Sequence, residues 1–155
     1  MKTLILLSGI PGSGKSTWAK NYLNEHPNTK IVSSDGIRVR LFGHRQAFND
    51  ERLVWRTYLE DIHAYAEEGD DVTVIADSTN LTNHYRRYYF RETPEFDRHI
   101  LVVFEAPFEL CELRNKQRES GKIVPDEGMR KLEEEWEDPS EDAMSLYDEC
   151  IRIKD

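Results

Sequence analysis

The chain has 155 residues, of which 38% are hydrophobic and 33% charged, and its formal net charge is −9. The length predicts one domain over residues 1–155 with a sizeable buried core, and the negative charge argues against a protein that coats nucleic acid generally. Because no apolar run is long enough to cross a membrane, we expect a cytoplasmic protein with no membrane partner, and a homo-oligomer is compatible with the sequence.

The first predicted element is an apolar strand over 3–8, followed at once by a glycine-rich turn and a helix that ends before Pro27. The turn fits G-x-x-x-x-G-K-[ST], the phosphate-binding P-loop, and the flanking strand and helix argue against an ordinary glycine-rich turn. Its glycines let successive N–H groups face phosphate oxygens. We expect ATP, or another nucleoside triphosphate, to contact Gly9, Gly12, Ser13, Gly14, Lys15, Ser16 and Thr17. Lys15 would contact the β- and γ-phosphates, and Ser16 would bind Mg²⁺.

Strands and helices alternate along the rest of the chain. Strands are predicted over 30–33, 71–77, 99–105 and 150–153, and helices over 36–42, about 50–68, 82–92, 107–118 and 127–136. This order predicts an α/β P-loop NTPase-type three-layer sandwich with a mainly parallel sheet of about five strands. Ligands of such sheets bind at the carboxyl ends of the strands.

Asp35 directly follows the second predicted strand, and Arg38 lies three residues later. On a helix this spacing puts both side chains on one face, directed across the P-loop. Phosphoryl transfer to a hydroxyl needs a carboxylate that takes the acceptor's proton, and cations near the non-bridging oxygens. We expect Asp35 and Arg38 to take these roles, the alternative being a helix-capping aspartate beside an exposed arginine.

Asp77 ends a strongly apolar strand, at the Walker-B position where a carboxylate holds Mg²⁺ directly or through water. The alternative is an aspartate that only starts the following turn. Arg114 and Arg118 are four residues apart on one predicted helix, where a nearby polyanion would relieve their mutual repulsion. The alternative for this pair is two solvated arginines near a helix C-terminus.

Four stretches together resemble the 5′-hydroxyl polynucleotide kinase family, such as the kinase domain of bacteriophage polynucleotide kinase. They are the P-loop with Trp18 and Ala19, then Asp35-x-x-Arg38, then 77–81 with Arg86-Arg87, and finally 114–118 followed by Val124-Pro125. The resemblance covers most of the chain. The P-loop is its least specific part, and the combination with the other three is more specific.

The resemblance implies an ATP- and Mg²⁺-dependent kinase with a helical lid at about 114–126. It implies that Asp35 is the general base, that Arg38 contacts an acceptor phosphate, and that Arg118 contacts the donor phosphates with support from Arg114. It also implies that Ser78 and Val124 line the acceptor nucleotide. The site residues predicted as catalytic are therefore Asp35, Arg38, Lys15 and Arg118.

Three functions are compatible with these residues. The first is transfer of the ATP γ-phosphate to the 5′-hydroxyl end of DNA or RNA, with a role in end repair. The second is a P-loop kinase for a nucleoside, sugar or antibiotic, favoured by the net charge and by Ser34 and Gly36, which replace charged residues of the family beside Asp35. The third is a nucleotide-binding regulatory module that transfers nothing.

Overall fold

The computed structural model describes residues 1–154 and contains one five-stranded sheet. The strands are β1 Lys2–Ser8, β2 Thr29–Ser33, β3 Val72–Asp77, β4 Arg98–Phe104 and β5 Glu149–Ile153. They lie in the order β2-β3-β1-β4-β5, and all neighbouring pairs are parallel. The predicted mainly parallel, five-stranded sheet is confirmed, and the described sheet is parallel throughout.

Seven α-helices are present within residues 1–154. They are α1 Lys15–Glu25, α2 Ser34–Phe42, α3 Glu51–Ala66, α4 Asn83–Arg91, α5 Phe108–Lys116, α6 Asp126–Glu135 and α7 Glu141–Leu146, with a short 3-10 helix at Ser120–Lys122. The sequence did not predict α7, which is only six residues long and begins in a run of acidic residues. Its Ser140 N-cap accepts a hydrogen bond from the N–H of Ala143.

Helices cover both faces of the sheet and complete the three layers. One core contains the apolar side of α3 (Val54, Tyr58, Ile62 and Ala66), packed on alternating residues of β1 and β3. A second core lies on the opposite face, where Ala19 of α1 packs with Ile5, Leu7 and Ile75. Because successive residues of a strand point to opposite faces, β1 contributes Leu4 and Leu6 to the first core and its intervening residues to the second.

The P-loop turns between β1 and α1 against helix α5. Gly12 has φ +83°, and a Cβ at this position would lie 2.4 Å from the carbonyl oxygen of Cys111. Gly14 precedes α1 with φ +104°. The first glycine is therefore required by close packing as well as by its backbone conformation, the second by conformation alone. None of the helices in the described chain is long and apolar enough to span a membrane.

Candidate active site

An open cavity of about 940 Å³ lies at the carboxyl end of the sheet, above the P-loop. We call it the P-loop cavity. It brings together most of the residues predicted as functional, which are Gly12, Gly14, Lys15, Ser16, Thr17, Asp35, Arg38, Asp77, Ser78, Arg114, Arg118 and Val124. Gly9 and Ser13, also predicted to contact the nucleotide, do not line it. The N–H of Gly9 donates to the carbonyl of Thr79 at 2.9 Å, and Ser13 is 3% exposed.

The side chain of Lys15 is buried in the P-loop. Its Nζ donates to the carbonyl oxygens of Gly9 at 2.7 Å and Ile10 at 2.9 Å. Burial lowers the pKa of Lys15 to about 8, the charges of Asp77 and Asp35 oppose this shift, and that of Arg118 adds to it. The charges of Asp77, Asp35 and Arg118 therefore lie close enough to Lys15 to act on its ammonium group.

Ser16 and Asp77 form an oxygen pair at the start of α1 and the end of β3. The Ser16 hydroxyl donates to Oδ2 of Asp77 at 3.3 Å. Burial raises the pKa of Asp77 above its ordinary value, and Lys15 acts in the opposite direction. Mg²⁺ binds oxygen ligands, and a P-loop hydroxyl with a carboxylate at the end of a neighbouring strand is a known pair of this kind. Within residues 1–154 no group of three or more His, Cys, Asp or Glu side chains could hold a metal, so any cation here needs nucleotide phosphates or water as further ligands.

Asp35 lies inside α2, which begins at Ser34, two residues earlier than predicted. The earlier start arises because the Ser33 side chain caps the helix, accepting from the N–H of Gly36 at 3.1 Å. Asp35 is therefore not the cap. Its side chain is 47% exposed and lines the P-loop cavity. Arg38, whose side chain is 8% exposed, donates from Nη1 to Oδ1 of Asp35 at 3.2 Å.

Arg38 is held from the other side by Glu51, the first residue of α3. Nε and Nη2 of Arg38 donate to the two carboxylate oxygens of Glu51 at 3.1 and 2.6 Å. The guanidinium carbon also lies 4.9 Å from the ring centre of Phe48 and 5.6 Å from that of Trp55. Sequence reasoning assigned no function to Glu51, Phe48 or Trp55. No local signal marks Glu51, because its partner lies thirteen residues away across a loop.

The predicted lid, 114–126, consists of the end of α5, the 3-10 helix and the start of α6. Arg114 donates to the carbonyl of Gly12 at 3.4 Å. The side chain of Asn115 exchanges two hydrogen bonds with the backbone of Val124, at 2.7 and 3.0 Å. Gln46, in the loop between α2 and α3, donates to the carbonyl of Ile123 at 2.7 Å. The segment is thus tied both to the P-loop and to the Asp35 side of the cavity.

The segment 77–81, which is the end of β3 and the loop after it, is fixed to the end of β1 and to Gly9 of the P-loop by buried polar contacts. The Asn80 side chain, at a residue with φ +43°, donates to the carbonyl of Leu7 at 2.8 Å. Arg86 is fully buried and donates to the Ser8 hydroxyl at 3.2 Å. The Ser78 hydroxyl lies 3.2 Å from that of Tyr58. Ser78 is only 5% exposed, so it offers the cavity a small surface.

A parallel sheet with a P-loop at its first strand and carboxylates at the ends of two neighbouring strands defines a P-loop nucleotide-binding protein of the kinase type. The chain belongs to the AAA_33 family, described as an AAA domain, whose model matches residues 4–139. The predicted α/β P-loop fold is confirmed, as is the resemblance at the level of this kinase-type family.

Curated relatives of the chain are named for two different activities, a phosphodiesterase and a kinase. The chain is 32% identical over 103 residues to a 2′,3′-cyclic-nucleotide 3′-phosphodiesterase of Pongo abelii, an alignment covering 66% of this chain and 24% of the relative. It is 27% identical over 140 residues to an L-seryl-tRNA(Sec) kinase of Methanococcus maripaludis, covering 88% of this chain and 53% of the relative. The chain therefore spans about half or less of these relatives.

Two solved structures show the same fold. One is a chain of the Pnkp1/Rnl/Hen1 RNA repair complex, with a TM-score of 0.72, 25% identity, and coverage of 86% of this chain and 43% of that one. The other is a gluconokinase from Sinorhizobium meliloti, with a TM-score of 0.62, 19% identity, and coverage of 98% and 82%. The second likeness is one of fold alone.

Proposed function

We propose that this chain transfers the γ-phosphate of ATP to the 5′-hydroxyl end of a DNA or RNA strand. The observation that carries the proposal is that Asp35 and the P-loop line one open cavity, with a buried arginine bonded to Asp35. A nucleotide-binding module has no need of an exposed carboxylate held opposite its phosphate site.

The chemistry follows from this placement. The Asp35 carboxylate accepts the proton of the acceptor hydroxyl while the oxygen of that hydroxyl forms a bond to the γ-phosphorus. The bond from that phosphorus to the bridging oxygen of ADP breaks in line, and the proton later leaves Asp35 for solvent. Lys15 and Arg118 stabilise the charge on the transferred group, with Arg118 in a lid formed by residues 114–126.

Mg²⁺ fits the oxygen pair of Ser16 and Asp77, which would hold the ion directly or through water. When bound, it would neutralise charge on the donor phosphates. Lys15, Ser16 and the P-loop N–H groups of residues 12–17 would hold the phosphates themselves. Gly9 and Gly12 keep the loop in the shape that this contact needs.

Three features favour a nucleic-acid acceptor. Each terminal nitrogen of Arg38 carries two N–H groups and donates only one of them to Asp35 or Glu51. The second N–H of each nitrogen can donate to an acceptor phosphate. The cavity is also lined by Arg45, Lys122 and the Val124 side chain. Two of the similar proteins are named for RNA chemistry, a seryl-tRNA kinase and an RNA repair complex.

A kinase for a small alcohol is the second candidate. The observation that favours it is the pairing of Arg38 with two carboxylates, which leaves less positive charge for a polyanion at the acceptor side. Ser34 and Gly36 add no charge there.

The deciding experiment is transfer of labelled phosphate from ATP to a 5′-hydroxyl oligonucleotide. We expect transfer by the wild type and a loss of at least about 10²-fold in Asp35→Asn, with ATP binding retained. Asp71→Asn, which changes an exposed carboxylate at the opposite end of β3, is the matched control. Transfer only to sugars or nucleosides would establish the second candidate, and ATP hydrolysis that no acceptor accelerates would establish a regulatory module.

A further inference from the structure

A second cavity of about 750 Å³ lies between α3, α4 and α6. It shares four lining residues with the P-loop cavity, which are Trp55, Thr79, Leu132 and Glu135. The two cavities therefore meet at residues that include Trp55, whose ring centre lies 5.6 Å from the guanidinium carbon of Arg38. We call the second one the aromatic groove.

Four tryptophan or tyrosine residues line the groove, and one of them, Tyr89, is buried. The other three are Trp55 on α3 and Tyr85 and Tyr88 on α4. Tyr85 is 48% exposed, a high value for a large ring in a cavity wall. Exposed aromatic rings along a channel are the surfaces on which unpaired nucleobases stack.

The charges in the groove nearly cancel. Arg52 and Arg56 are exposed on α3, and Arg56 lies 3.7 Å from Glu60. Glu51 is held by Arg38, and Glu135 lies at the junction with the P-loop cavity. Stacking, rather than phosphate neutralisation, therefore has to supply most of the affinity for a nucleic acid here.

We propose that the aromatic groove holds the unpaired nucleotides that immediately follow the 5′-terminal one. The inference rests on the proposed function, and it makes a single-stranded or overhanging 5′ end the preferred substrate. A duplex end would bind the groove less well, because its bases are already paired and stacked and cannot stack on Tyr85.

The test is the dependence of the acceptor KM on length and strandedness. We expect the wild-type KM to be lower for a single-stranded hexanucleotide than for a nucleoside 3′-phosphate. A blunt duplex should have a higher KM than the hexamer. Tyr85→Ala should raise the hexamer KM at least about fivefold and leave the KM for the nucleoside 3′-phosphate unchanged. Tyr85→Phe keeps the ring and should keep the wild-type values. Arg91→Ala, an exposed change on the same helix outside both cavities, is the control.

Binding of a 3′-labelled hexamer, measured by fluorescence anisotropy in the unmutated protein and in Tyr85→Ala, provides a readout that does not need catalysis. Two results would overturn the proposed role of the aromatic groove and leave the kinase proposal intact. One is an acceptor KM that does not depend on length, and the other is a hexamer KM and affinity that Tyr85→Ala does not change. Absence of transfer to every nucleic-acid end, with ATP still bound, would overturn both. If stacking supplies most of the affinity, the hexamer affinity should depend less on salt concentration than that of a site that binds mainly phosphates.

Discussion

Nη2 of Arg38 lies 2.6 Å from Oε1 of Glu51, and this contact joins the α2 end of the P-loop cavity to the first turn of α3. Because Nη1 of the same guanidinium donates to Asp35, Glu51 acts on the proposed base through Arg38. The rings of Phe48 and Trp55 restrict the guanidinium further. We therefore infer that Glu51 is a positioning residue, which acts on the proposed base through Arg38.

Removing the charge of Glu51 should disturb this arrangement. In Glu51→Gln the buried guanidinium of Arg38 loses a charged partner, and we expect a fall in kcat/KM for the acceptor of about tenfold and a loss of stability of about 1–2 kcal/mol. The measurement is a double-mutant cycle with Arg38→Ala, in which the two effects should be non-additive. Glu67→Gln, at an exposed position just after α3, is the control. Additive effects would mean that Glu51 acts independently of Arg38.

We expect Lys15 to make ATP binding depend on pH. Its pKa is lowered by burial to about 8, so below that pH the nucleotide-free protein already carries the cation that the phosphates require. Above pH 8 the neutral amine has to take up a proton on binding, and the Kd for ATP should rise with pH. Between pH 8 and 10.5, the ordinary value, the unfolded chain binds more protons than the native one, so this group alone raises the free energy of unfolding as pH increases.

Calorimetry in two buffers of different ionisation enthalpy measures this proton. We expect uptake close to zero near pH 7 and rising toward about one proton per ATP near pH 9.5. Lys30→Gln, which removes an exposed lysine near Glu68, should leave the uptake unchanged. Equal uptake at both pH values would show that Lys15 does not titrate in this range.

Arg118 is expected to act on the transition state more than on ATP binding. It lines the P-loop cavity just beyond α5, and its charge affects both Lys15 and Asp77. Arg118→Ala should lower kcat by about 10³-fold with a small change in the Kd for ATP, and Arg118→Lys should not restore activity. Arg130→Ala, on an exposed part of α6, serves as the control. A large rise in Kd at constant kcat would place Arg118 in ground-state binding instead.

Comparing substitutions at Gly12 and Gly43 tests how closely the P-loop packs on α5. Both have φ +83°, but only at Gly12 would a Cβ meet another atom, the Cys111 carbonyl oxygen, and nothing lies within 4 Å at Gly43 among the described residues. We expect Gly43→Ala to lower the free energy of unfolding by about 1–2 kcal/mol and Gly12→Ala by a further 1–3 kcal/mol or so. Urea denaturation measures both. Equal losses would mean that α5 moves away without cost.

Local sequence determined the parts of this protein whose geometry depends on neighbouring residues. The P-loop motif specifies its own turn, and the apolar runs specify the buried parallel strands. Asp35 directly follows one such strand and Asp77 ends another, which was enough to place both at one edge of the sheet. These features follow from short-range conformational preferences and from the rule that parallel strands share a carboxyl edge.

Tertiary structure alone decided which side chains meet across loops. Glu51 reaches Arg38, and Gln46 reaches the lid at Ile123, because packing of α3 on the sheet sets the path of the loop between α2 and α3. The same packing opens the groove beside Tyr85. Such contacts depend on the relative placement of whole helices, which side chains far apart in the sequence determine together, and no local pattern encodes them.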